Sequence, residues 1–154
     1  MAILIDGYNL LHAAGIIPRG IGAGTLERAR SALLNWLIAE LEPEQVAETT
    51  VVFDAANPPP GLPRRVDHRG LTVLFSTEHE NADALLEDLI RQAAVPRRLV
   101  VVSSDHRVQR AARRRRSIAI DSDDWYFNLR NRRENSTAEP REETKPAVPL
   151  SAAE

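Results

Sequence analysis

Close to its start the chain reads Ile3-Leu4-Ile5-Asp6-Gly7-Tyr8-Asn9-Leu10-Leu11. The run of aliphatic residues predicts a strand that is buried on both faces, as in a parallel sheet. The strand ends on Asp6, and ligands of open α/β sheets bind just beyond the carboxyl ends of the strands. A carboxylate at that place, followed three residues later by the amide of Asn9, is a candidate site for a metal ion or a substrate.

The same pattern of an apolar strand that ends on an acid occurs in two more stretches, Val51-Val52-Phe53-Asp54 and Leu99-Val100-Val101-Val102-Ser103-Ser104-Asp105. A fourth acid, Asp83, lies in the first turn of a predicted helix, where the helix dipole favours a negative charge. Three of the four acids also have a purely structural interpretation, because Asp54 could begin a turn and Asp83 and Asp105 could cap helices. Their shared position at one edge of a sheet favours a common site.

Strands and helices alternate along the chain, which predicts an α/β fold of three layers, α/β/α, around a central, mostly parallel sheet. Right-handed crossovers then bring the strand-end acids to one edge. The predicted strands are residues 3–5, 49–55, 71–75, 99–102 and 118–120. The first predicted helix covers about residues 8–14, and the second runs from its N-cap Thr25 to Pro43. A third helix begins at Asn81 or Asp83. The last two helices cover residues 105–115 and the segment from the cap Ser122 to Leu129. A stiff proline-rich loop follows the second strand and includes Arg64, Arg65 and Arg69.

Composition excludes several classes of protein. The chain has 154 residues, 43% of them hydrophobic, which is enough for one core and hardly for two. It has no cysteine, so disulfides, thiolate catalysis and zinc sites built on cysteine are excluded. No apolar run approaches the roughly 18 residues that span a bilayer, and the start lacks the basic region of a signal peptide. We therefore expect a cytoplasmic protein without membrane contact.

The last part of the chain differs from the rest in composition. From about Asn131 it is rich in Glu, Pro, Thr and Ala and shows no apolar periodicity. Such a segment cannot bury enough surface to offset its ordering entropy. The predicted organisation is one folded domain over residues 1–130 and a disordered polar tail over residues 131–154.

The acids predict a metal site with a particular chemistry. Carboxylates that converge in a cleft repel one another unless a cation neutralises them. Hard oxygen ligands, together with only four histidines, favour Mg²⁺ or Mn²⁺ over zinc. Such an ion can activate water and stabilise charge on a phosphoryl oxygen, which points to phosphodiester cleavage. The candidate metal ligands are Asp6, Asp54, Asp83 and Asp105, and Asn9 could orient a water.

Arginine is the second organised feature of a chain whose formal net charge is only −2. The helix that begins at Asp105 carries Arg107, Arg110, Arg113 and Arg114 close to one face, and Arg64 and Arg65 could flank the same cleft. A metal centre rimmed by arginine suits a polyanionic substrate. We therefore expect these six arginines to bind RNA; the alternative is a helix face that is merely solvated.

These motifs carry a resemblance to a known family. The stretch Ile3–Leu11 resembles the opening of NYN domains, which belong to the PIN-like nuclease superfamily. Val51–Ala55, Asn81–Glu87 and Val101–Asp105 match the order of motifs in its YacP-like branch. The resemblance covers about residues 2–129 and implies a compact α/β/α fold with metal-dependent ribonuclease activity of the endonucleolytic kind.

Carried over residue by residue, the resemblance implies that Asp6, Asp83 and Asp105 bind the metal and that Asn9 supports the metal or its water. Asp54 matches a further family position. The run of four arginines after the third acid and the long polar tail depart from the family pattern, so neither inherits a role from it.

The function predicted from the sequence is that of a metal-dependent endoribonuclease with RNA as its substrate. The main alternative is an RNA-binding module without cleavage activity, which would keep the basic rim but would not need the acids. A phosphatase acting on small phosphate esters is a third class. The sequence leaves open which RNA is cut, whether a ribosome or another partner presents it, and how many chains assemble.

Overall fold

A computed structural model describes residues 1–16, 23–54 and 64–132 of the chain. Within these ranges the strands are β1 Ala2–Asp6, β2 Thr49–Phe53, β3 Arg65–His68, β4 Leu71–Phe75, β5 Leu99–Val102 and β6 Ile118–Ile120. The helices are α1 Gly7–Ala13, α2 Ala23–Glu40, α3 Pro43–Ala47, α4 Ala82–Gln92 and α5 His106–Arg114. Residues 122–132 form a further helix, α6, and Pro96–Arg98 form a short 3-10 turn before β5.

The six strands form one sheet in the order β3-β4-β2-β1-β5-β6. All neighbouring strands are parallel except β3 and β4, which form an antiparallel hairpin. The chain first adds β2 and β4 on one side of β1 and then returns to place β5 and β6 on the other side. The crevice between the carboxyl ends of β1 and β5 is therefore the topological switch point, where ligands of such sheets bind.

Each face of the sheet is covered by its own group of helices, because alternate residues of a strand point to opposite faces. Ile3 and Ile5 of β1 belong to a core that includes residues of α1, α2, α3 and α6. Leu4, between them, belongs to a second core with α4 and α5. The predicted three-layer α/β/α architecture with a mostly parallel sheet is confirmed.

The sequence-based prediction is wrong at β3, because it places these residues in the proline-rich loop. Arg65–His68 alternates exposed and half-buried residues, as an edge strand does. It pairs with β4 through a tight turn at Arg69 and Gly70, whose φ angles are 52° and 102°. Positive φ values at both turn positions match the twist of a two-residue hairpin. Pairing with β4 thus imposes a strand on a segment that contains two charged residues and a histidine.

Smaller corrections concern the helix ends. Thr25 lies inside α2 and is not its N-cap, because the helix already includes Ala23. The short helix α3 was not predicted. At the start of α6 the capping residue is Asp121 and not Ser122, since the Asp121 side chain accepts a hydrogen bond from the Asp123 N–H at 3.0 Å.

The predicted loop over residues 57–63 and residues 133–154 of the predicted tail lie outside the described residues. Residues 131 and 132, which the prediction placed in the tail, are helical and continue α6. Among the helices within the described ranges, none is both long enough and apolar enough to cross a membrane.

Candidate active site

Asp6 stands at the carboxyl end of β1 with only 4% of its surface exposed. One of its carboxylate oxygens accepts a hydrogen bond from the Asn9 N–H at 3.3 Å, and the other accepts from the Ser103 hydroxyl at 3.2 Å. Burial nevertheless raises the pKa of Asp6 to about 6, and the charges of Asp105 and Asp54 add to the rise. The fold thus holds an acid at the switch point in surroundings that disfavour its charged form.

Gly7 allows helix α1 to begin directly after Asp6. A Cβ atom at this position would lie 2.4 Å from Cε1 of Phe53 and 2.9 Å from the carbonyl oxygen of Val52. Any side chain would therefore push α1 away from β2. Glycine is required at position 7 because α1 approaches β2 so closely. The close approach also fixes the position of the Asp6 carboxylate.

Ser103 and Asn9 join the ends of β1 and β5. The Ser103 hydroxyl is fully buried, lies 3.1 Å from Oδ1 of Asn9, and accepts the Asp105 N–H at 3.1 Å. Its single proton can be donated either to Asn9 or to Asp6. Oδ1 of Asn9 also accepts the Ser104 N–H at 2.7 Å. These contacts hold the loop that carries Asp105 against the start of α1.

Asp105 follows this loop and caps α5. One of its carboxylate oxygens accepts hydrogen bonds from the N–H groups of Arg107 at 2.8 Å and Val108 at 3.2 Å. Asp105 is therefore the N-cap of α5, and this capping role uses only one of its two carboxylate oxygens.

Asp83 approaches the same place from α4. Its helix is capped by Asn81, whose side-chain oxygen accepts the Ala84 N–H at 2.9 Å, so Asp83 itself is not needed as a cap. Partial burial raises the pKa of Asp83 to about 6, with further contributions from the charge of Asp105, a hydrogen bond between the two carboxyl groups, and the charge of Asp6. Asp6, Asp83 and Asp105 are thus close enough to repel one another.

Asp54 stands at the margin of this group. Its carboxylate accepts a hydrogen bond from the Ser76 hydroxyl at 3.4 Å, and its charge is the smallest of the effects that act on Asp6. Within the described part of the chain, no three His, Cys, Asp or Glu side chains are arranged to hold one metal ion. The structure therefore brings three acids together as a repelling cluster, without a complete set of protein ligands.

Arg107 is the predicted arginine that lies beside these acids. Its Nε and Nη2 atoms donate to the two carboxylate oxygens of Glu87 at 2.7 and 2.9 Å, which ties α5 to α4. The charges of Asp83 and Asp105 also act on it. Three of the five N–H donors of its guanidinium group remain after these two bonds, so Arg107 can still bind an anion that reaches the site.

The other predicted arginines are spread more widely. Arg110 is exposed one turn further along α5, whereas Arg113 and Arg114 lie in the last turn, at the opposite edge of the sheet. Arg65 pairs with Leu74 near the carboxyl end of β4. Arg64 is ion-paired with Glu78. Arg64 and Arg65 line a groove of about 340 Å³ along α4. This groove lies at the start of the outer strand β3, and its lining does not include the three acids.

Two residues of the site were missed by sequence reasoning. Ser103 is the centre of the hydrogen-bond network, and Glu87 holds Arg107. The buried amide of Gln109 supports Ser103 by donating to its carbonyl oxygen at 2.7 Å. The only signal for Ser103 was its place two residues before Asp105; the pairing of Glu87 with Arg107 depends on how α4 packs on α5, which the sequence does not reveal.

Comparison with known proteins agrees with this architecture. A family model described as a YacP-like NYN domain matches residues 3–152. The chain is similar to the crystal structure of Rae1 (YacP) from Bacillus subtilis, and to that of a mutant of the same protein, with 24% identity and a TM-score of 0.63 in each case. The matches cover 99% of this chain and 88% and 89% of those chains. At this identity the likeness establishes the fold. No curated protein matches the chain.

Proposed function

Because this chain belongs to the family of YacP-like NYN domains, we propose that it is a metal-dependent endoribonuclease whose active site is the acid cluster between β1 and β5. Membership of the family indicates a nuclease-type, RNA-related function. The observation that carries the more specific proposal is the convergence of Asp6, Asp83 and Asp105 at the switch point. The charged cluster is unfavourable without a cation, because burial raises the pKa of Asp6 and of Asp83 to about 6 and the charges of the neighbouring acids add to the rise.

The donors at this edge fit a hard divalent cation. They are carboxylate, amide and hydroxyl oxygens, which Mg²⁺ and Mn²⁺ prefer. No three acidic or histidine side chains of the described residues form a ready ligand set. Magnesium is commonly held by one or two carboxylates, with waters and substrate phosphate completing its shell. Asp6, Asp83 and Asp105 would hold the ion in this open manner.

When bound, such an ion would activate water for attack on phosphorus and offset the charge that develops on the phosphoryl oxygens. The chain's own residues would supply orientation. Asn9 and Ser103 fix the Asp6 carboxylate through both of its oxygens. The α5 N-terminus fixes one oxygen of Asp105. These two carboxylates are therefore positioned before the substrate arrives, which would avoid reorganisation during the reaction.

Arginines next to the acids would position the RNA backbone. Arg107 is held by Glu87 with donors to spare, and exposed Arg110 follows one turn later on the same helix. Arg65 would reach a neighbouring phosphate from the outer strand. Guanidinium groups suit this role because they bind phosphate through two parallel hydrogen bonds.

An RNA-binding module without cleavage activity is the second candidate. The observation that favours it is the lack of a three-residue ligand set among the described residues. This candidate predicts RNA binding that is indifferent to divalent metal and to the acids.

Cleavage of a circular RNA tests the proposal, because only an endonuclease can open a circle. We expect the wild-type chain to linearise it with Mg²⁺ or Mn²⁺ and not with a chelator. Asp83→Asn should lose this activity. Glu44→Gln, which removes one charge from an exposed acid of α3 at the other edge of the sheet, should keep it. Equal cleavage by Asp83→Asn, or cleavage in the chelator, would rule the proposal out.

A further inference from the structure

A second group of arginines lies at the amino-terminal edge of the sheet, opposite the acid cluster. Helix α5 ends at this edge, and strands β5 and β6 begin there. We call the group the distal arginine surface; its members are Arg97, Arg98, Arg113, Arg114 and Arg116.

Contacts between two segments bring these residues together. The Arg115 guanidinium donates to the carbonyl oxygen of Ile90 at 2.9 Å and to that of Arg91, which fixes the end of α5 against the end of α4. The Ser117 hydroxyl donates to the carbonyl oxygen of Pro96 at 2.7 Å. The turn that carries Arg97 and Arg98 is therefore packed on the turn that carries Arg116.

Among the residues that the structure describes, no ion pair neutralises the charge of this surface. All five arginines are exposed, and none of them forms an ion pair within the described ranges. Arg98 attracts Glu48, but that carboxylate is already bonded to the N-terminal ammonium group at 2.7 Å. Several like charges held together in this way attract a polyanion.

Arg116 stands in a backbone conformation that favours another residue. Its φ angle is 65°, in the left-handed region, directly after the last residues of α5. Glycine is the usual residue at this position of a helix end because it has no Cβ atom. The chain thus has an arginine at a position where glycine would be more stable. Strained residues of this kind cluster at binding sites.

The helix dipole offers a simpler explanation for part of the group. Cations in the last turn of α5 stabilise its C-terminus, which accounts for Arg113 and Arg114. It does not account for Arg97 and Arg98, which belong to another segment, nor for the strained conformation of Arg116.

We propose that the distal arginine surface binds the phosphate backbone of the RNA strand beyond the segment that is cleaved at the acid cluster. The identity of the ligand as RNA rests on the proposed function. Helix α5 is about 13 Å long, so the phosphates at its two ends belong to different nucleotides. Arg107 and Arg110 continue the same helix face towards the acids, which gives the strand a continuous basic path.

The length of the RNA distinguishes the contribution of the distal arginine surface from that of the active site. The test variant is Arg97→Gln/Arg98→Gln/Arg116→Gln, and its control is Arg28→Gln/Arg69→Gln/Arg132→Gln, which removes the same charge from exposed arginines elsewhere. Binding would be measured in the inactive Asp83→Asn background over a series of salt concentrations. For a long single strand, we expect the test variant to lose at least about tenfold in affinity and about two units of the slope of log affinity against log salt. Cleavage of an oligonucleotide of a few nucleotides by the active enzyme should not change.

A single substitution distinguishes a loss of RNA contacts from poor folding of the variant. Arg116→Gly should raise the melting temperature by about 2–4 °C and at the same time weaken binding of the long RNA. A residue with a merely structural role would not move stability and affinity in opposite directions.

The proposal is overturned if the test variant binds the long RNA with the same affinity and salt slope as the control variant. That outcome leaves the proposed function intact, provided that the wild type cleaves the short oligonucleotide. Conversely, if the wild type cleaves no RNA but long-RNA binding still depends on these arginines, the distal surface stands and the proposed function fails.

Discussion

The environment of Asp6 opposes the charge of its own side chain. The carboxylate is buried and faces Asp105 and Asp54, and the hydrogen bonds from Asn9 and Ser103 compensate only in part, so its pKa rises. An acid held in this way destabilises the folded chain when it is charged. In the proposed metal site, a bound cation would offset this loss of stability.

The pH dependence of stability tests this view of Asp6. Its pKa rises from 3.8 in the unfolded chain to about 6 in the fold, so the folded state binds the proton more tightly. Stability of the metal-free protein should fall as pH rises through this window, by about 3 kcal/mol for this group. Asp6→Asn should remove that part of the fall, and denaturant unfolding between pH 4 and pH 7 measures it.

The amide is a suitable replacement because the network around position 6 can adapt. The Ser103 hydroxyl can turn its proton to Asn9, 3.1 Å away, and accept an N–H from the new amide. Above pH 6 the variant should therefore be more stable than the wild type. A wild-type pH profile without this fall, or a variant that is less stable at neutral pH, would contradict the account.

Gly7→Ala should be destabilising by about 1–3 kcal/mol, the usual cost of overpacking. The new methyl group would lie 2.4 Å from the ring of Phe53. Because the clash is mainly with that ring, adding Phe53→Leu should restore part of the loss, and a double-mutant cycle of unfolding free energies measures the coupling. Additive effects of the two substitutions would mean that the ring is not the obstacle.

At the scale of elements, the run Arg113 to Arg116 divides into two roles. Arg115 is half-buried and bonds carbonyl oxygens at the end of α4, whereas its three neighbours are exposed. The sequence presents four identical residues, and only the packing of α5 on α4 distinguishes the structural one from the others.

Arg115→Ala should therefore cost about 1–3 kcal/mol of stability, because it leaves helix-end carbonyls without a charged donor. Arg114→Ala, its neighbour, should stay within about 0.5 kcal/mol of the wild type. Thermal or denaturant unfolding of the pair is a direct comparison. Equal effects of the two substitutions would show that Arg115 does not join the helices.

Elements whose apolar pattern is strong were predictable from the sequence. Ile3–Ile5, Val51–Phe53 and Leu99–Val102 had to be buried strands, and the acids that follow them had to meet at one edge. The strand β3 was not predictable, since Arg65–His68 has only one apolar residue and depends on β4 for its hydrogen bonds. The site network was likewise hidden, because Ser103 meets Asn9 only once β5 pairs with β1.

At the scale of the whole molecule, the strand order determines which acids lie close to one another. Placing β1 between β2 and β5 sets Asp6 beside Asp105 and leaves Asp54 on the other side of β1. Helix α4 crosses between β4 and β5 and brings Asp83 to the same crevice. A strand order in which β1 did not neighbour β5 would have separated Asp6 from Asp105 without changing any local prediction.

The most direct test of the central claim, that Asp6, Asp83 and Asp105 hold a divalent cation, is a thermal melt of the full chain with and without Mn²⁺. Bound ligand stabilises only the folded state, by about 2.7 kcal/mol at about 100 times its Kd. We predict that Mn²⁺ raises the melting temperature of the wild type and of Glu44→Gln alike, and that the rise is much smaller in Asp83→Asn. The same rise in Asp83→Asn, or no rise in the wild type, would contradict the account.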